Sequence, residues 1–131
     1  MKKMISICFI ITLVSMITIG SYALGEVSVV SSDVFKFANL NAKPAGTVTF
    51  SATLKNKGDI SITFCALERL DEGKWVFVAS LTVPASKSNT YRYLASKDYS
   101  SNLTQGNSYR FKATFLSNGE KYSTVSNTIA Y

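Results

Sequence analysis

Past its apolar start, the chain offers few residues for chemistry: eight carboxylates, one cysteine and no histidine anywhere. The missing histidine removes the commonest general base, the commonest metal ligand and every Ser-His or Cys-His nucleophile pair. The carboxylates are Glu26, Asp33, Asp59, Glu68, Asp71, Glu72, Asp98 and Glu120. Most fall in turn-like stretches. Asp71 and Glu72 are adjacent, which gives two solvated charges on a hairpin tip. Glycoside hydrolysis needs two carboxylates facing each other across a cleft, and calcium needs several oxygen ligands at close spacing. No glycine-rich phosphate loop occurs. Cys65 has no histidine to lower its pKa and reads as a small buried hydrophobe, although a dimerising thiol is the other use of such a residue. The sequence therefore predicts a non-enzymatic protein with no catalytic residue, cofactor or metal site.

Binding chemistry is better represented. Trp75 and Tyr91 can stack on a sugar ring, and with Arg92 or Arg110 they can form a protein-binding patch. Trp75, Tyr91 and Arg92 are the candidate ligand-binding residues. The same aromatics can equally fill a core. The formal charge of +6 is spread along the chain with no run of five or six like charges. That disfavours nucleic acid, which needs clustered Lys and Arg.

The start of the chain bears on where such a protein acts. Met1-Lys2-Lys3 precedes an apolar run from Met4 to Ile19, followed by small residues at Ser21, Ala23 and Gly25. This is the pattern of a secretory signal peptide, cleaved after Ala23 or Gly25. The run is shorter than the ~20 residues of a spanning helix, so the expectation is no membrane span once residues 1–23 are removed. Residues 24–131 then form one domain. Cys8 leaves with the signal and Cys65 has no partner, so no disulfide forms within the chain. A small exported domain of this kind points to a bacterial secreted protein. The C-terminal Asn127-Thr128-Ile129-Ala130-Tyr131 carries no anchor signal, and loss of Lys2 and Lys3 lowers the charge by two.

The elements that position these residues read as strands. Glu26–Ser32 predicts a first strand, continued by Val34–Phe37, and Asn39–Gly46 predicts a loop with Pro44 and Gly46 as breakers. Val48, Phe50, Ala52 and Leu54 alternate with polar residues and predict a second strand. A turn at Asn56–Asp59 leads to a third strand, Ile60–Arg69. Ile62, Phe64 and Ala66 should share one face of it, with Thr63, Cys65 and Leu67 on the other. Asp71-Glu72-Gly73 turns the chain into a fourth strand, Lys74–Val83. Ser88–Leu94 predicts a fifth strand with Tyr91 and Tyr93 on one face, and Ala95–Asn107 a polar crossing loop. Ser108–Leu116 is the sixth strand, Ser117-Asn118-Gly119-Glu120 a hairpin signal, and Lys121–Tyr131 the last strand, broken near Ser126-Asn127. Seven strands without helical periodicity predict an antiparallel β-sandwich.

One stretch narrows this. In Leu103–Phe115 a turn containing Gly106 leads into Tyr109, Phe111, Ala113 and Phe115 on one face and Arg110, Lys112 and Thr114 on the other. A tyrosine just past the turn can fold its ring under it and reach backbone with its hydroxyl, the pattern of a tyrosine corner. Leu103, Gly106 and Tyr109 are structural residues on this reading. The stretch resembles the corner before the sixth strand of fibronectin type III domains, with Gln105 where that family usually has proline. The resemblance covers about residues 47 to 131, and rests also on Gly73-Lys74-Trp75 and on Ser126–Ile129. The tryptophan usual on the family's second strand is missing, and Phe50 occupies that region, which leaves a related immunoglobulin-like sandwich open. No Arg-Gly-Asp motif occurs, so the family's best-known ligand motif is not implied.

These observations predict a small secreted binding module whose ligand is an anionic wall polymer, a cell-surface polymer or another extracellular protein. Two alternatives stand beside it: a structural subunit that self-associates through sheet edges, and a protease inhibitor presenting the Ala95–Asn107 loop.

Overall fold

The computed structural model describes residues 28–29 and 32–131. The predicted signal peptide, and all of the predicted first strand except Ser28, Val29 and Ser32, lie outside the described residues. The described chain is all-β and antiparallel, as the alternation predicts. Its strands are β1 (Ser28–Val29), β2 (Phe35–Ala42), β3 (Thr47–Asp71), β4 (Lys74–Ser80), β5 (Lys87–Asp98), β6 (Ser108–Ser117), β7 (Glu120–Val125) and β8 (Ile129–Ala130).

The organising element is β3. Two strands with a turn at Asn56–Asp59 are expected there, but the structure has one strand of 25 residues. Its first half pairs with β2 and β5, and its second half with β4 and β6. The predicted turn survives as an irregularity: the β5 register shifts between Thr53 and Gly58 and again between Gly58 and Ile60. The strand bends without reversing there, so it passes from one ladder into the other. The first ladder is β1–β2–β3–β5. The second is β4–β3–β6–β7, with β8 also on β6.

Other boundaries move for local reasons. The predicted loop Asn39–Gly46 is strand up to Ala42, because Ala38, Leu40 and Ala42 point into the core between polar residues. The fourth strand stops at Ser80, not Val83. The fifth extends to Asp98, and the sixth by one residue to Ser117. The last strand breaks over residues 126–128, where the Ser126 hydroxyl accepts from Phe111 N at 2.9 Å and donates to Asn127 O at 2.8 Å.

Two face assignments are corrected. Ile62 is buried while Phe64 is 44% exposed, so they do not share a face. The β3–β6 register shifts between them, and one inserted residue flips every side chain that follows. Cys65 and Leu67 therefore continue the buried face begun by Ile60 and Ile62. Tyr91 and Tyr93 also part: Tyr93 is buried and Tyr91 is 51% exposed. Thr90 Oγ1 accepts from Arg92 N at 3.1 Å and donates to Arg92 O at 2.8 Å, which kinks β5 at that point.

The inner faces of the two ladders share one core. Tyr93 of β5 meets Phe115 of β6 edge-on at 6.2 Å between centroids. Tyr99 fills the gap between Phe50 of β3 and Phe111 of β6, at 6.4 and 5.7 Å. Aromatic pairs of this kind contribute about 0.5–1.5 kcal/mol each beyond the area they bury. Both two-residue hairpins, Glu72-Gly73 and Asn118-Gly119, have positive φ at each position. That is the type I′ turn whose twist matches antiparallel strands, and the second position of each is glycine.

Candidate functional site

Directly paired residues of antiparallel strands project from the same face. In the second ladder Leu70 pairs with Trp75, Glu68 with both Phe77 and Arg110, and Ala66 with Lys112. Leu67 and Phe111, which pair on the opposite face, are buried in the core. The outer face of β4, β3 and β6 thus carries Trp75, Phe77, Leu70, Glu68, Arg110 and Lys112 side by side.

Trp75 is held there by charge. The Arg110 guanidinium lies over its ring, 4.4 Å from the centroid. Arg110 Nε donates to Glu68 Oε1 at 2.7 Å, and Lys112 Nζ stands 3.9 Å from Glu68 Oε2. The carboxylate positions the guanidinium and the guanidinium covers one face of the indole, a cation–π arrangement. A sugar stacking on Trp75 must use the other face. On that face Phe77 is 58% exposed and Leu70 39% exposed; Val76, which pairs with Arg69, projects from the other face and is 42% exposed, as is Val78 at the register shift. β4 pairs with β3 on one side and with no other described strand.

Tyr91 and Arg92 sit elsewhere, on β5 of the first ladder. Lys57 Nζ lies 5.6 Å from the Tyr91 ring centroid. Arg92 pairs with Thr53 in the ladder and forms no ion pair among the described residues. No described contact joins either residue to Trp75, so the three sequence candidates divide between two ladders. Phe77, Val76, Val78 and Leu70 were not singled out from the sequence. Their signal was a strand, Lys74–Ser80, apolar at both alternating positions and uncharged after its first residue.

The residues assigned structural roles meet at the end of the molecule. Tyr109 is buried, and its Oη accepts from Thr104 N at 3.0 Å and lies 3.4 Å from Thr104 O. Gly106 adopts φ +88 in that turn, and its N–H donates to Tyr131 O at 2.7 Å. Leu103 is buried beneath it. The predicted crossing loop is largely structured. Residues 95–98 belong to β5, Ser100–Asn102 form a 3₁₀ turn, and Tyr99 is anchored by its hydroxyl donating to Thr82 O at 2.6 Å. The exposed part of the predicted loop is Ser101, Asn102 and Thr104–Gly106.

No group of three metal-ligating side chains occurs among the described residues. Cys65 is free and buried, and burial pushes its thiol up to about 11, partly offset by a hydrogen bond with Tyr99. Burial also raises Tyr99, reinforced by the neighbouring Cys65. An open polar cleft beside the β3 bend is lined by Asp33, Asn56, Lys57, Asp59, Ser117 and Asn118. It holds only two carboxylates, and Asp59 is engaged in accepting from Asn89 N at 2.9 Å. No described helix is long and apolar enough to cross a membrane.

No family model matches the chain, and no curated protein matches it. Among solved structures it is similar to the Br derivative of BhCBM56, at 13% identity over 82% of this chain and 100% of that one, with a TM-score of 0.33.

Proposed function

We propose that the chain is a small secreted, non-enzymatic binding module, built as a fibronectin type III-like β-sandwich. Its partner is an extracellular protein docked on the outer face and edge of β4. Residues 1–23 are the signal peptide on this reading. The two ladders around one core support the sandwich, and the Tyr109 corner supports the family likeness. The observation that carries the function is the β4 surface itself. Phe77 and Leu70 form an exposed apolar patch beside the Trp75–Arg110–Glu68 stack, and the exposed Val76 and Val78 leave the edge itself apolar. Rigid aromatics and arginine at the centre of an apolar patch are what protein interfaces use for affinity.

The test presents the mature protein to culture supernatant, cell envelope and purified walls across a salt series, beside a folded Phe77→Lys variant. Saturable retention of a protein that the variant loses supports this reading. Retention on walls that salt removes and Phe77→Lys leaves unchanged assigns binding to net positive charge and a wall polymer instead. No saturable binding to any fraction, with no self-association, removes the reading.

A further inference from the structure

The open cleft beside the β3 bend continues past the Asn118-Gly119 turn. Asp59, Ser117 and Asn118 line both of its halves, and the second half adds Lys87 with Ser61, Ser86 and Ser88. The halves measure about 370 and 320 Å³, each within the ~300–1,000 Å³ of small-molecule sites. One lining residue has no polar use within the fold. Ser117 is 2% exposed, and its hydroxyl has no hydrogen-bond partner among the described residues. Buried polar groups in native folds are nearly always paired. Its Oγ lies beside Gly58, another lining residue, 3.4 Å from where a Cβ would stand, so no side chain covers it there.

We propose that this cleft is a second binding site, separate from β4, and that it takes two adjacent units of a neutral oligosaccharide. Charge selects against ions. Asp33 and Asp59 are matched by Lys57 and Lys87, so a cation and an anion each meet a like charge. Polarity selects against an apolar ligand, which would leave the amides of Asn56 and Asn118 and the serine hydroxyls unpaired. Amides and hydroxyls both donate and accept, and so do the hydroxyls of a sugar. The lining groups are held in place before any ligand arrives. The Ser32 hydroxyl accepts from Val34 N at 3.0 Å and Phe35 N at 2.9 Å and donates to Glu120, which fixes the segment carrying Asp33 against the start of β7. Asp59 Oδ1 accepts from Asn89 N at 2.9 Å, and Lys87 Nζ donates to Leu94 O at 2.6 Å. Groups fixed in advance lose little freedom on binding. Lys57 reaches from the cleft to the exposed Tyr91, with its Nζ 5.6 Å from the ring centroid. Beyond that end of the cleft the ring offers a stacking surface to the apolar C–H face of a sugar.

The experiment screens the mature protein on an array of neutral oligosaccharides of glucose, mannose and N-acetylglucosamine. The sugars retained are then titrated into isotope-labelled protein while backbone amide resonances are followed. The expected result is saturable binding of at least one, with shifts centred on residues 56–59 and 116–119. Because the ligand is uncharged, its affinity should hold between about 0.1 and 1 M salt. Ser117→Ala and Asn118→Gly should each weaken binding several-fold to about tenfold, the worth of one hydrogen bond. Neither should lower the denaturation midpoint, since the hydroxyl has no partner to lose and glycine keeps the positive φ of the turn. Tyr91→Ala should weaken binding to a similar degree, and wild-type affinity in that variant removes the stacking from the proposal. No saturable binding of any of these sugars overturns the site. So does binding that 1 M salt abolishes. Binding that Trp75→Ala abolishes and both cleft variants retain moves the sugar to β4 and overturns the cleft.

Discussion

The Asn127 side chain pairs with the backbone of Ala42 as a neighbouring strand would: its Oδ1 accepts from Ala42 N at 2.8 Å and its Nδ2 donates to Ala42 O at 2.8 Å. This joins the end of β2, in the first ladder, to the break between β7 and β8, in the second. Asn127→Ala should leave both groups of the buried Ala42 unpaired and cost about 1–3 kcal/mol. Asn127→Asp keeps the acceptor but turns a carboxylate oxygen toward Ala42 O, so it should not restore wild-type stability. Denaturant midpoints check both. An Asn127→Ala midpoint equal to wild type would mean that water replaces the amide without loss.

Tyr109→Phe should lower stability by about 1 kcal/mol, the net worth of the hydrogen bond from Thr104 N. Tyr109→Ala should cost about 3–5 kcal/mol, since it also deletes a buried ring. The separation between the two variants in chemical denaturation divides the corner into its polar and packing parts. Equal midpoints for Tyr109→Phe and wild type would make the hydroxyl irrelevant.

Local alternation made most strands legible, because a half-buried strand writes its faces at a period of two. Phe50, Ala52 and Leu54 illustrate this, as do Tyr109, Phe111 and Phe115. What alternation does not encode is an inserted residue. The shift between Ile62 and Phe64 and the kink at Thr90–Arg92 each moved an aromatic ring to the opposite face. The unbroken course of β3 was hidden because Asn56-Lys57-Gly58-Asp59 has turn composition, yet here it bends a strand. Trp75 was legible as a candidate by type alone. Its neighbours Phe77 and Leu70 were not, because whether an apolar residue is buried depends on which strand covers it, and Lys74–Ser80 says nothing about lying at an edge.

Cys65 should react slowly with a thiol reagent in the folded protein and quickly once unfolded, because burial both shields it and holds it protonated. The same burial sets a pH dependence. A thiol raised from 9.0 to about 11 keeps its proton when folded and loses it when unfolded across that interval. The unfolded state then binds fewer protons, so stability is intact below about pH 9 and declines as pH rises. Tyr93 and Tyr99, also raised by burial, extend the decline above pH 10. Cys65→Ala should move its onset upward, toward the tyrosine range. A flat stability profile from pH 8 to 11 would contradict this.

Arg110 and Trp75 should be energetically coupled. In a double-mutant cycle of Arg110→Met and Trp75→Leu followed by denaturation, the coupling should be about 0.5–1 kcal/mol, as for a partly exposed cation–π pair. Glu68→Gln should weaken that coupling, since the carboxylate orients the guanidinium. Zero coupling would make the stack incidental to the surface.

The single strand that serves both ladders also makes the molecule a poor hinge and a good tether. β3 enters beside β2 and β5 and leaves beside β4 and β6. A load directed along β3 is therefore passed along covalent backbone from one ladder to the other. The cross-strand bonds resist it in shear along the strands, many at once, instead of peeling apart one by one.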